Sequence, residues 1–587
     1  MPQPYNLPGP ILTPTANANL FPVFGRAGVA RLYEKVRQQH SGLPGLHSWL
    51  DTVLRVTGAR YETDCPDDFA CPAKGPLIIV ANYPFGLRDP LVLGHFFGNL
   101  RSDLQIVGHP SLRAIPDLRD HLITAQPGAE TSGDIPFDAT LHHLNEGGAV
   151  VIFPSGRVAR YRPGRGVRES SWSDQLGELA RQSGASVIPV YFPGRNSVLF
   201  QTAQLLHPKL GPSLLLREFL NSTHKPVPLK IGAVISPNRL KKFPDASSLT
   251  QYLRLHTMVL SQRRGMRQKD IQRRAISSSE TLQQRPQNLC SEINGLRKKG
   301  AVMVSQGALE VFIATAWEIP LALQEIGRLR EITFQAVGEG TGKEIDLDPF
   351  DAYYLHLFLW DEAAGKIVGA YRLGRADEIL RTHGARGLYT NSLFRFQRSF
   401  LNHLKDAVEM GRSFIRPEYQ RHLAALPLLW RGIAQWIARH PQYTKLFGPV
   451  SISQDYDPVS RRLIVEYLTN HRADTHLARA VRPRTPFRCN QARSLLREFV
   501  STSLTDADDC SAVISSIEAD GKGLPVLLKH YLKLNGTILS FNVDRNFASV
   551  LDGLILVDLR KTDPRLLTKM MGVQLSAQYR QHHGLSR

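Results

Sequence analysis

The sequence predicts an α/β protein with two α/β domains joined by a basic linker. A chain of 587 residues is longer than one hydrophobic core usually organises. Apolar runs alternate with helical patterns in the first half, as in a largely parallel sheet covered by helices. Residues 261–300 hold ten Lys or Arg against three acidic residues, a composition typical of a solvated linker. We therefore expect a Pro-rich extension at 1–45, domains at 46–260 and 301–587, and the linker at 261–300.

The first domain is predicted from short apolar runs bounded by turn residues. Pro76–Ala81 is almost wholly apolar, as expected of a strand buried on both faces of a sheet. Helical spacing that ends at glycines predicts helices at Asp138–Glu146 and Ser173–Gln182. Further buried strands are predicted at Leu104–Val107, Ala149–Phe153, Ser186–Phe192 and Leu229–Ile235.

The second domain is predicted to begin with a helical or strand-like segment, a Gly-rich loop and two strands. Leu329–Ala336 has mixed spacing, and Gly338–Gly342 then interrupts the chain. Tyr354–Trp360 and Ile367–Leu373 predict two strands joined by a turn. Later segments predict a helix at Leu426–Ile437, strands at Phe541–Val543 and Gly553–Val557, and a polar tail.

Charge and cysteine content narrow the classes of partner. The formal net charge of +20 favours a polyanionic partner: nucleic acid, an anionic membrane or an acidic protein. We expect no nucleic acid, because no zinc or recognition-helix motif and no aromatic residues interleaved with the basic linker are found. Five scattered cysteines indicate neither disulfides nor a metal site, which fits a reducing cytosol. No signal peptide and no apolar run of ~20 residues is found, so we expect a cytoplasmic protein, peripheral on the inner face of the membrane.

Four ordered segments of the first domain resemble the glycerolipid O-acyltransferases (the lysophosphatidate acyltransferase family). They are Asn82–Asp89 (NYPFGLRD), Phe153–Arg160 (FPSGRVAR), Val187–Ser197 (VIPVYFPGRNS), and LLLREFLN with LKIGAVI near Arg217 and Gly232. The resemblance implies a base at the position of Tyr83, oriented by Asp89, that deprotonates an acceptor hydroxyl as it attacks an acyl thioester. It also implies that substrates are bound by Asn82, Gly86, Phe153, Pro154, Gly156, Arg157, Arg195 and Asn196.

Tyr83 stands where this family carries histidine, which leaves two interpretations open. A phenol has an ordinary pKa of ~10 and is a poor base at neutral pH. The domain is either an active O-acyltransferase or a silent module that binds lysolipid or membrane. His95 and His109 are alternative bases, Asp89 is alternatively a helix N-cap, and Arg195 with Asn196 could simply shape a turn.

The second domain resembles the ornithine-lipid-forming N-acyltransferases, which are relatives of the acyl-homoserine-lactone synthases in the acetyltransferase (GNAT) superfamily. The segments that carry this are Leu329–Gly342, Asp346–Asp361, Ile367–Gly374, Glu409–Gln420, Leu428–Ile433, Leu446–Ser453 and Phe541–Leu559. With the first domain, the architecture resembles a bifunctional ornithine lipid synthase. The resemblance implies transfer of a 3-hydroxyacyl chain to the α-amine of ornithine or a similar amino acid, followed by O-acylation of the lyso-aminolipid.

The residues of this second site are assigned by the same resemblance and by the chemistry of amide formation. Glu331 or Glu409 is the expected base, because an amine must lose a proton before it attacks a thioester. Backbone N–H groups after Ser413–Ile415 would stabilise the oxyanion. Arg330, Arg412 and Arg416 would bind the acceptor carboxylate or a phosphate. Arg330 and Glu331 are alternatively a salt-bridging pair on a helix face.

No bound cofactor is expected, and the acyl donor is a co-substrate. The N-terminus of the Leu426–Ile437 helix would bind the phosphate of a phosphopantetheine arm. An acyl carrier protein is favoured over coenzyme A, because an acidic carrier complements a basic chain. The linker cations are expected to contact anionic headgroups at ~1 kcal/mol each, or else to be merely solvated. They are Arg263, Arg264, Arg267, Lys269, Arg273 and Arg274.

Overall fold

The computed structural model describes most of the chain, and its described residues group into two compact units. The described residues are 23–40, 45–66, 69–108, 112–113, 115–124, 135–162, 166–206, 214–215, 218–219, 226–263, 289–337, 339–340, 342–489, 504–545 and 547–585. Those up to Arg263 form the first unit, and those from Leu289 onwards form the second, except that 504–505 and 515–521 group with the first. No helix in these ranges has both the length and the apolar composition needed to cross a bilayer.

The first unit is built on a seven-stranded sheet. Its elements are α1 (Val23–Gln39), α2 (Leu46–Thr57), β1 (Tyr61–Asp64), β2 (Leu77–Ala81), α3 (Arg88–Gly98), β3 (Leu104–Val107), β4 (Leu122–Ile123), α4 (Phe137–Asn145), β5 (Ala149–Ile152), β6 (Arg160–Arg162), β7 (Gly166–Arg168), α5 (Gln175–Ser183), β8 (Ser186–Tyr191), α6 (Val198–Leu206), β9 (Val227–Ile231), α7 (Pro237–Leu240) and α8 (Ala246–Val259). The strand order is β1-β9-β8-β2-β5-β3-β4. Every neighbouring pair is parallel except β8–β9, so the largely parallel sheet is confirmed.

Both faces of this sheet are covered, which explains why its central strands are continuously apolar. Alternate residues of a strand face opposite sides. Leu77 and Ile79 of β2 pack with Leu50 and Phe97 of α2 and α3. Ile78 of β2 packs with the other cluster, which includes residues of α4, α5 and α8. A strand that is covered on both faces has no polar side, so its sequence is a continuous apolar run, as expected of a parallel sheet.

Part of the predicted N-terminal extension belongs to this core. Helix α1 lies within the 1–45 segment, and its Val36 is buried in the same cluster as Trp49 and Leu50 of α2. Leu32 and Tyr33 of the same helix pack against this cluster, so the segment contributes to the core although prolines precede it. Residues 1–22 and 41–44 lie outside the described residues.

The second unit is built on an eight-stranded mixed sheet. The remaining elements of the chain are α9 (Leu289–Lys298), β10 (Val302–Gln306), β11 (Leu309–Thr315), α10 (Pro320–Ala336), β12 (Leu355–Asp361), β13 (Lys366–Arg375), α11 (Ala376–Thr382), β14 (Phe394–Phe396), α12 (Arg398–His403), β15 (Ala407–Ile415), α13 (Ala425–Arg439), β16 (Lys445–Ile452), α14 (Pro458–His471), α15 (Thr475–Ala478), β17 (Val481–Pro483), α16 (Ala507–Ile517), α17 (Val526–Lys533), β18 (Thr537–Asp544), β19 (Val550–Asp558), α18 (Pro564–Met571) and α19 (Val573–His582). The order is β10-β11-β12-β13-β15-β16-β19-β18, and β15–β16 is its parallel pair. The two-domain α/β fold class is confirmed.

Two segments of this unit differ from the sequence-based expectation. The end of the predicted 261–300 linker forms α9, whose Leu289, Ile293 and Leu296 are buried in a core cluster. The predicted polar tail forms α18 and α19, in which Leu567 and Tyr579 are buried. In both segments a few apolar residues at helical spacing are enough for docking, although the composition is polar overall. Residues 264–288 of the linker lie outside the described residues.

Candidate active sites

The candidate site of the first unit lies at the carboxyl ends of its central strands. Parallel strands place their carboxyl ends at one edge of a sheet, where ligands bind in many α/β proteins. Asn82 follows β2 and Phe192 follows β8. The Asn82 side chain accepts a hydrogen bond from the Phe192 backbone N–H (2.7 Å) and donates one to its carbonyl (3.0 Å). Asn82 therefore ties the ends of these neighbouring strands together.

Tyr83 occupies an environment that opposes loss of its proton. Its ring stacks on Phe153, and its backbone N–H donates to Oε1 of Glu169 (2.5 Å). Burial, with the nearby Asp89, raises the pKa of the Tyr83 phenol well above its usual range. A phenol in this environment is ionised at neutral pH even less often than an exposed one, so it is even less available as a base.

Asp89 organises the turn that follows Tyr83. Helix α3 begins at Arg88, so the alternative of Asp89 as the helix N-cap is wrong. Its Oδ2 instead accepts hydrogen bonds from the backbone N–H groups of Phe85 (2.9 Å) and Gly86 (3.0 Å). Its Oδ1 is buried without a hydrogen-bond partner among the described residues. Burial raises the pKa of Asp89 despite those two bonds.

Glu169 is a residue of this site that the sequence did not indicate. It contacts Tyr83 from 86 positions away, accepts a hydrogen bond from the Ser155 hydroxyl (3.1 Å), and accepts another from Trp172 Nε1 (3.0 Å). Burial raises its pKa. No local motif surrounds Glu169, so only the fold could reveal it.

The other predicted residues of the first unit divide into buried and exposed groups. Phe153, Pro154 and Asn196 are buried, and the Asn196 side-chain nitrogen has no hydrogen-bond partner among the described residues. Arg157 and Arg195 are exposed. Gly86 and Gly156 have φ angles of 85° and 60°, which favour glycine at both turns.

The alternative base His95 is used in packing. Its ring contacts the Tyr61 hydroxyl (2.8 Å) and lies 4.3 Å from the His47 ring centroid. Its hydrogen bond and ring contact are therefore with α2 and β1, not with the segment that follows β2. His109 lies outside the described residues.

The candidate site of the second unit lies where β15 and β16 part. The two strands pair only from Ala407 to Glu409 on β15 and from Lys445 to Phe447 on β16. Immediately beyond, a side chain at Gly448 would lie 2.0 Å from the Met410 carbonyl oxygen, so only glycine permits this approach. On its other side β15 pairs with β13 from Val408 to Ile415, with a register shift between Ala370 and Arg372 of β13. The separation leaves an opening in the middle of the sheet.

A cavity of about 520 Å³ occupies this opening. This volume is in the range of small-molecule sites. The lining combines apolar and ionisable side chains. It consists of Thr333, Phe334, Val337, Glu339, Tyr371, Tyr389, Met410, Gly411, Arg412, Ser413, Phe414, Ile415, Gln420, His422, Leu426, Pro449, Ser451, Pro525, Val526, Leu527, Tyr531, Phe547 and Asp552.

Arg412 is the predicted binding residue that lines this cavity. Its φ of 49° is unusual for a residue with a side chain. Its guanidinium lies 3.2 Å from Asp346, 3.3 Å from Asp348, and 4.8 Å from the Tyr389 ring centroid. A second cavity of about 300 Å³ also has Arg412 and Tyr389 in its lining.

The other four predicted residues of the second site are engaged elsewhere. Glu331 Oε1 accepts from the Gly342 N–H (2.8 Å) and so holds the Gly-rich loop. Buried Glu409 accepts from the Thr390 N–H (2.6 Å) and from the Tyr354 hydroxyl.

The two arginines are likewise paired away from the large cavity. Arg330 is fully buried and lies 2.8 Å from Asp351, whose pKa is held below its usual range by Arg330 and Arg372 although burial alone would raise it. Arg416 lies 3.2 Å from Glu418. Arg330, Glu331, Glu409 and Arg416 do not line the large cavity, and their functional roles stay predictions.

Two of the predicted oxyanion donors after β15, the N–H groups of Arg416 and Tyr419, are already used. The Arg416 N–H donates to the Val368 carbonyl (2.9 Å), Pro417 has no N–H, and the Tyr419 N–H donates to Arg416 (2.9 Å). The predicted helix is confirmed as α13, and Leu426 in its first turn lines the cavity. In this turn the Ala425 and Leu428 N–H groups donate to the His422 and Ala424 carbonyls, and Pro427 has no N–H, so among the described residues the Leu426 N–H is the one left for an anion in the first turn.

Two carboxylates in the cavity wall were missed from the sequence. Asp552 is 3% exposed and accepts from the Ser451 hydroxyl (2.7 Å). Glu339 is 9% exposed. Burial raises the pKa of each to about 7. Asp552 had a detectable signal, because it is the one charged residue within the apolar run Val550–Val557.

Comparison with known proteins agrees with this architecture. Residues 329–431 match the family profile described as "Acetyltransferase (GNAT) domain". A glycine N(alpha)-acyltransferase of Phocaeicola vulgatus is 30% identical over 249 residues, 40% of this chain and 76% of that protein. A lyso-glycine lipid O-acyltransferase of the same species is 23% identical over 213 residues, 35% of this chain and 75% of that protein. The solved structure of the 1-acyl-sn-glycerophosphate (LPA) acyltransferase PlsC from Thermotoga maritima is similar to 44% of this chain and 95% of its own, with a TM-score of 0.26 and 16% identity.

The profile match covers the part of the second unit that forms one wall of the cavity. It runs from α10 through β12, β13 and β15 into α13. The similarity to the first of these relatives extends over about three quarters of that relative's length. The chain therefore belongs to the glycine N(alpha)-acyltransferase family and is an acyltransferase with a GNAT domain.

Proposed function

We propose that the second unit transfers a 3-hydroxyacyl chain from a thioester to the α-amine of a small amino acid, the first step of aminolipid synthesis. The observation that carries this proposal is the cavity between β15 and β16, which lies in the GNAT domain and has Arg412 in its wall. Phe334, Phe414 and Leu426 supply apolar surface there. An acyl thioester needs such a surface, and an amino acid carboxylate needs a cation.

The proposed acceptor is a small amino acid, and glycine and ornithine are the two candidates. The similarity to glycine N(alpha)-acyltransferases favours glycine. Ornithine, expected from the resemblance, stays a prediction. Both molecules carry an α-amine and an α-carboxylate, so Arg412 would serve either one.

The proposed donor is an acyl carrier protein, with acyl coenzyme A as the alternative. Support comes from the net charge of +20, which favours encounter with an acidic carrier. The first turn of α13 would accept the phosphate of the phosphopantetheine arm. Because both donors carry this arm, a phosphate site does not distinguish them, and the assay must compare acyl carrier protein with acyl coenzyme A.

For the first unit two functions remain candidates: O-acylation of the lyso-aminolipid, and binding of that lipid without catalysis. The similarity to the lyso-glycine lipid O-acyltransferase of Phocaeicola vulgatus supports the former. The raised pKa of the Tyr83 phenol favours the latter, because the site then lacks a base at neutral pH.

We also propose that a face of the first unit touches the cytoplasmic side of an anionic membrane. Val198 and Leu199 at the start of α6 are 72% and 50% exposed, and Tyr161 on the β6–β7 hairpin is 41% exposed. A hydrogen bond from the Tyr161 N–H to the Gln201 side chain (2.8 Å) joins the hairpin to α6. The same hairpin as Tyr161 carries exposed arginines at 160, 162 and 168. Apolar residues among cations suit an anionic headgroup surface.

Vesicle sedimentation tests the membrane proposal. Val198→Asp should weaken binding to phosphatidylglycerol vesicles, whereas Val573→Asp, at a site 78% exposed in α19, should not. Equal binding to phosphatidylcholine vesicles in high salt would contradict the electrostatic part.

Lipid analysis tests the proposed enzymatic function. The intact chain is expressed in a bacterium that lacks aminolipids, beside an Arg412→Met variant. A one-chain acyl amino acid from the intact chain supports N-acylation, and a two-chain lipid adds O-acylation. Purified protein with glycine or ornithine, and with each donor, then identifies the substrates. Absence of any acyl amino acid in both assays would exclude the proposal.

A further inference from the structure

We propose that Glu339 and Asp552 form the subsite that binds the ammonium group of the amino acid acceptor and takes its proton. The inference rests on the proposed N-acyltransferase function and names the residues that would perform its proton transfer. Its ligand class is a primary ammonium on a small zwitterion whose carboxylate faces Arg412.

Glu339 is placed to meet a ligand. It follows α10 in the Gly-rich loop, where its backbone N–H donates to the Phe334 carbonyl (2.7 Å). Its side chain lines the 520 Å³ cavity and makes no hydrogen bond or ion pair with any residue in the described ranges. A nearly buried carboxylate without donors is costly unless a ligand supplies them.

Asp552 belongs to the wall of the same cavity. It lies in the middle of β19, opposite Ser451 of β16, whose hydroxyl is its hydrogen-bond donor. Strand β19 is otherwise apolar and buried up to Val557. An acidic side chain at such a position adds nothing to packing, so a polar ligand explains it better than the core does.

The charges around the pair suit an ammonium ligand. Glu339 is faced by Asp455, and Asp552 by Asp544, Glu339 and Arg412. Burial is the main cause that raises the pKa of each carboxylate to about 7, and the neighbouring carboxylates raise it further. At Asp552 the Ser451 hydroxyl and Arg412 lower the pKa and so partly offset these effects. Near neutral pH the pair therefore holds about one proton and can take another. A proton acceptor works best when its pKa is near the working pH.

The proton transfers balance as follows. The bound ammonium gives one proton to a carboxylate of the pair and becomes an amine. The amine nitrogen attacks the thioester carbonyl carbon, and a C–N bond forms as the carbonyl electrons move to oxygen. The C–S bond then breaks, the carbonyl re-forms, and the nitrogen loses a second proton, which neutralises the leaving thiolate. The products are an amide, a thiol and one proton that the carboxylates release to water.

The carboxylates expected from the sequence are less suited to this role. Glu331 and Glu409 are not among the residues that line the cavity. Their oxygens accept hydrogen bonds from backbone N–H groups of loop residues, and burial raises the pKa of Glu409 as well. Glu409 positions Tyr389, whose hydroxyl in turn accepts from Arg412 (3.1 Å). We therefore assign Glu409 a positioning role.

The test measures N-acylation by the purified full chain across pH 5.5 to 9 with acyl carrier protein thioester and glycine. Glu339→Gln should lower kcat/KM for the amino acid by about 10²-fold, raise its KM, and leave the KM of the donor unchanged. Asp552→Asn should act in the same direction. The rise of the wild-type rate through about pH 7 should flatten in both variants. Thermal melting checks that each variant is folded.

Asp455→Asn is the matched variant. The substitution removes the charge of Asp455, which raises the pKa of Glu339. Asp455 itself is not one of the residues that line the cavity. The acid limb of the pH–rate profile should therefore move to lower pH, while the rate at high pH stays the same. If Glu339→Gln does not fold, this shift still tests whether Glu339 accepts the proton. Unchanged pH profiles in all three variants would overturn the inference. Absence of N-acyl product from the wild-type protein would instead contradict the proposed function.

Discussion

The ring of Tyr83 lies against that of Phe153, with centroids 4.5 Å apart and planes inclined by 29°. The stack places a phenol where the resembling O-acyltransferases carry imidazole. The parallel strands β2, β5 and β8 end at the same edge of the sheet, and Asp89 accepts hydrogen bonds from the turn that follows Tyr83. We therefore expect O-acylation by the first unit to depend on the side chain at position 83.

We expect Tyr83→His to raise O-acylation of a lyso-aminolipid by 10² or more, because imidazole has a pKa of ~6.5 and phenol ~10. The measurement is formation of two-chain lipid by purified protein from a one-chain acyl amino acid. Tyr83→Phe, which removes only the hydroxyl, should show no gain. If Tyr83→Phe abolished a wild-type activity, the phenol would have to take part.

We expect Asp552→Asn to stabilise the second unit at high pH but not at low pH. The folded pKa of Asp552 is about 7, against ~3.9 in an unfolded chain. Its contribution to stability is thus complete below about pH 4 and is lost as pH rises to about 7. The variant should gain on the order of 2–4 kcal/mol relative to wild type over that interval.

Hydrogen exchange of β19 amides at pH 5 and 8 checks this expectation. Asp558→Asn is the control with opposite sign, because Arg560 lowers the pKa of Asp558 although burial alone would raise it. A pH-independent difference between Asp552→Asn and wild type would show that Asp552 titrates normally.

We expect Arg412→Met to destabilise the second unit by about 3–5 kcal/mol, because it leaves the buried Asp346 without its ion-pair partner, while Asp348 keeps only Arg372. Arg412 is 12% exposed, and its partners Asp346 and Asp348 are 3% and 19% exposed. The control is Arg375→Met, which breaks a pair with Glu378 whose side chains are 35% and 39% exposed and should cost about 0–1 kcal/mol. Urea unfolding compares the two, and equal losses would contradict the prediction.

We expect Gly448→Ala to disturb the cleft. Its methyl group would meet the Met410 carbonyl at 2.0 Å, so β15 and β16 must move apart where the cavity begins. N-acylation and melting temperature should both fall. Gly295→Ala in α9 meets nothing within 4 Å and should be neutral or stabilise by up to about 1 kcal/mol. Wild-type kinetics in Gly448→Ala would show that the approach of the strands is dispensable.

Local sequence patterns were sufficient for elements that depend on hydrophobic periodicity. The strand at β2, the β12–β13 hairpin and helix α13 were all predicted close to their observed bounds. The patterns failed where a few apolar residues in a polar segment were enough for docking. Helices α9, α18 and α19 are examples, because their burial depends on partners distant in sequence.

The sequence by itself determined the two-domain α/β organisation, the acyltransferase resemblance and the replacement at Tyr83, because these are carried by periodicity and by short contiguous motifs. Only the tertiary structure decided which carboxylates face a cavity. Glu409 and Glu331 are held by N–H donors, whereas Glu339 and Asp552 from separate segments meet in one wall. The physical reason is that the proton affinity of a carboxylate depends on its burial and its hydrogen-bond donors, and distant parts of the chain supply both.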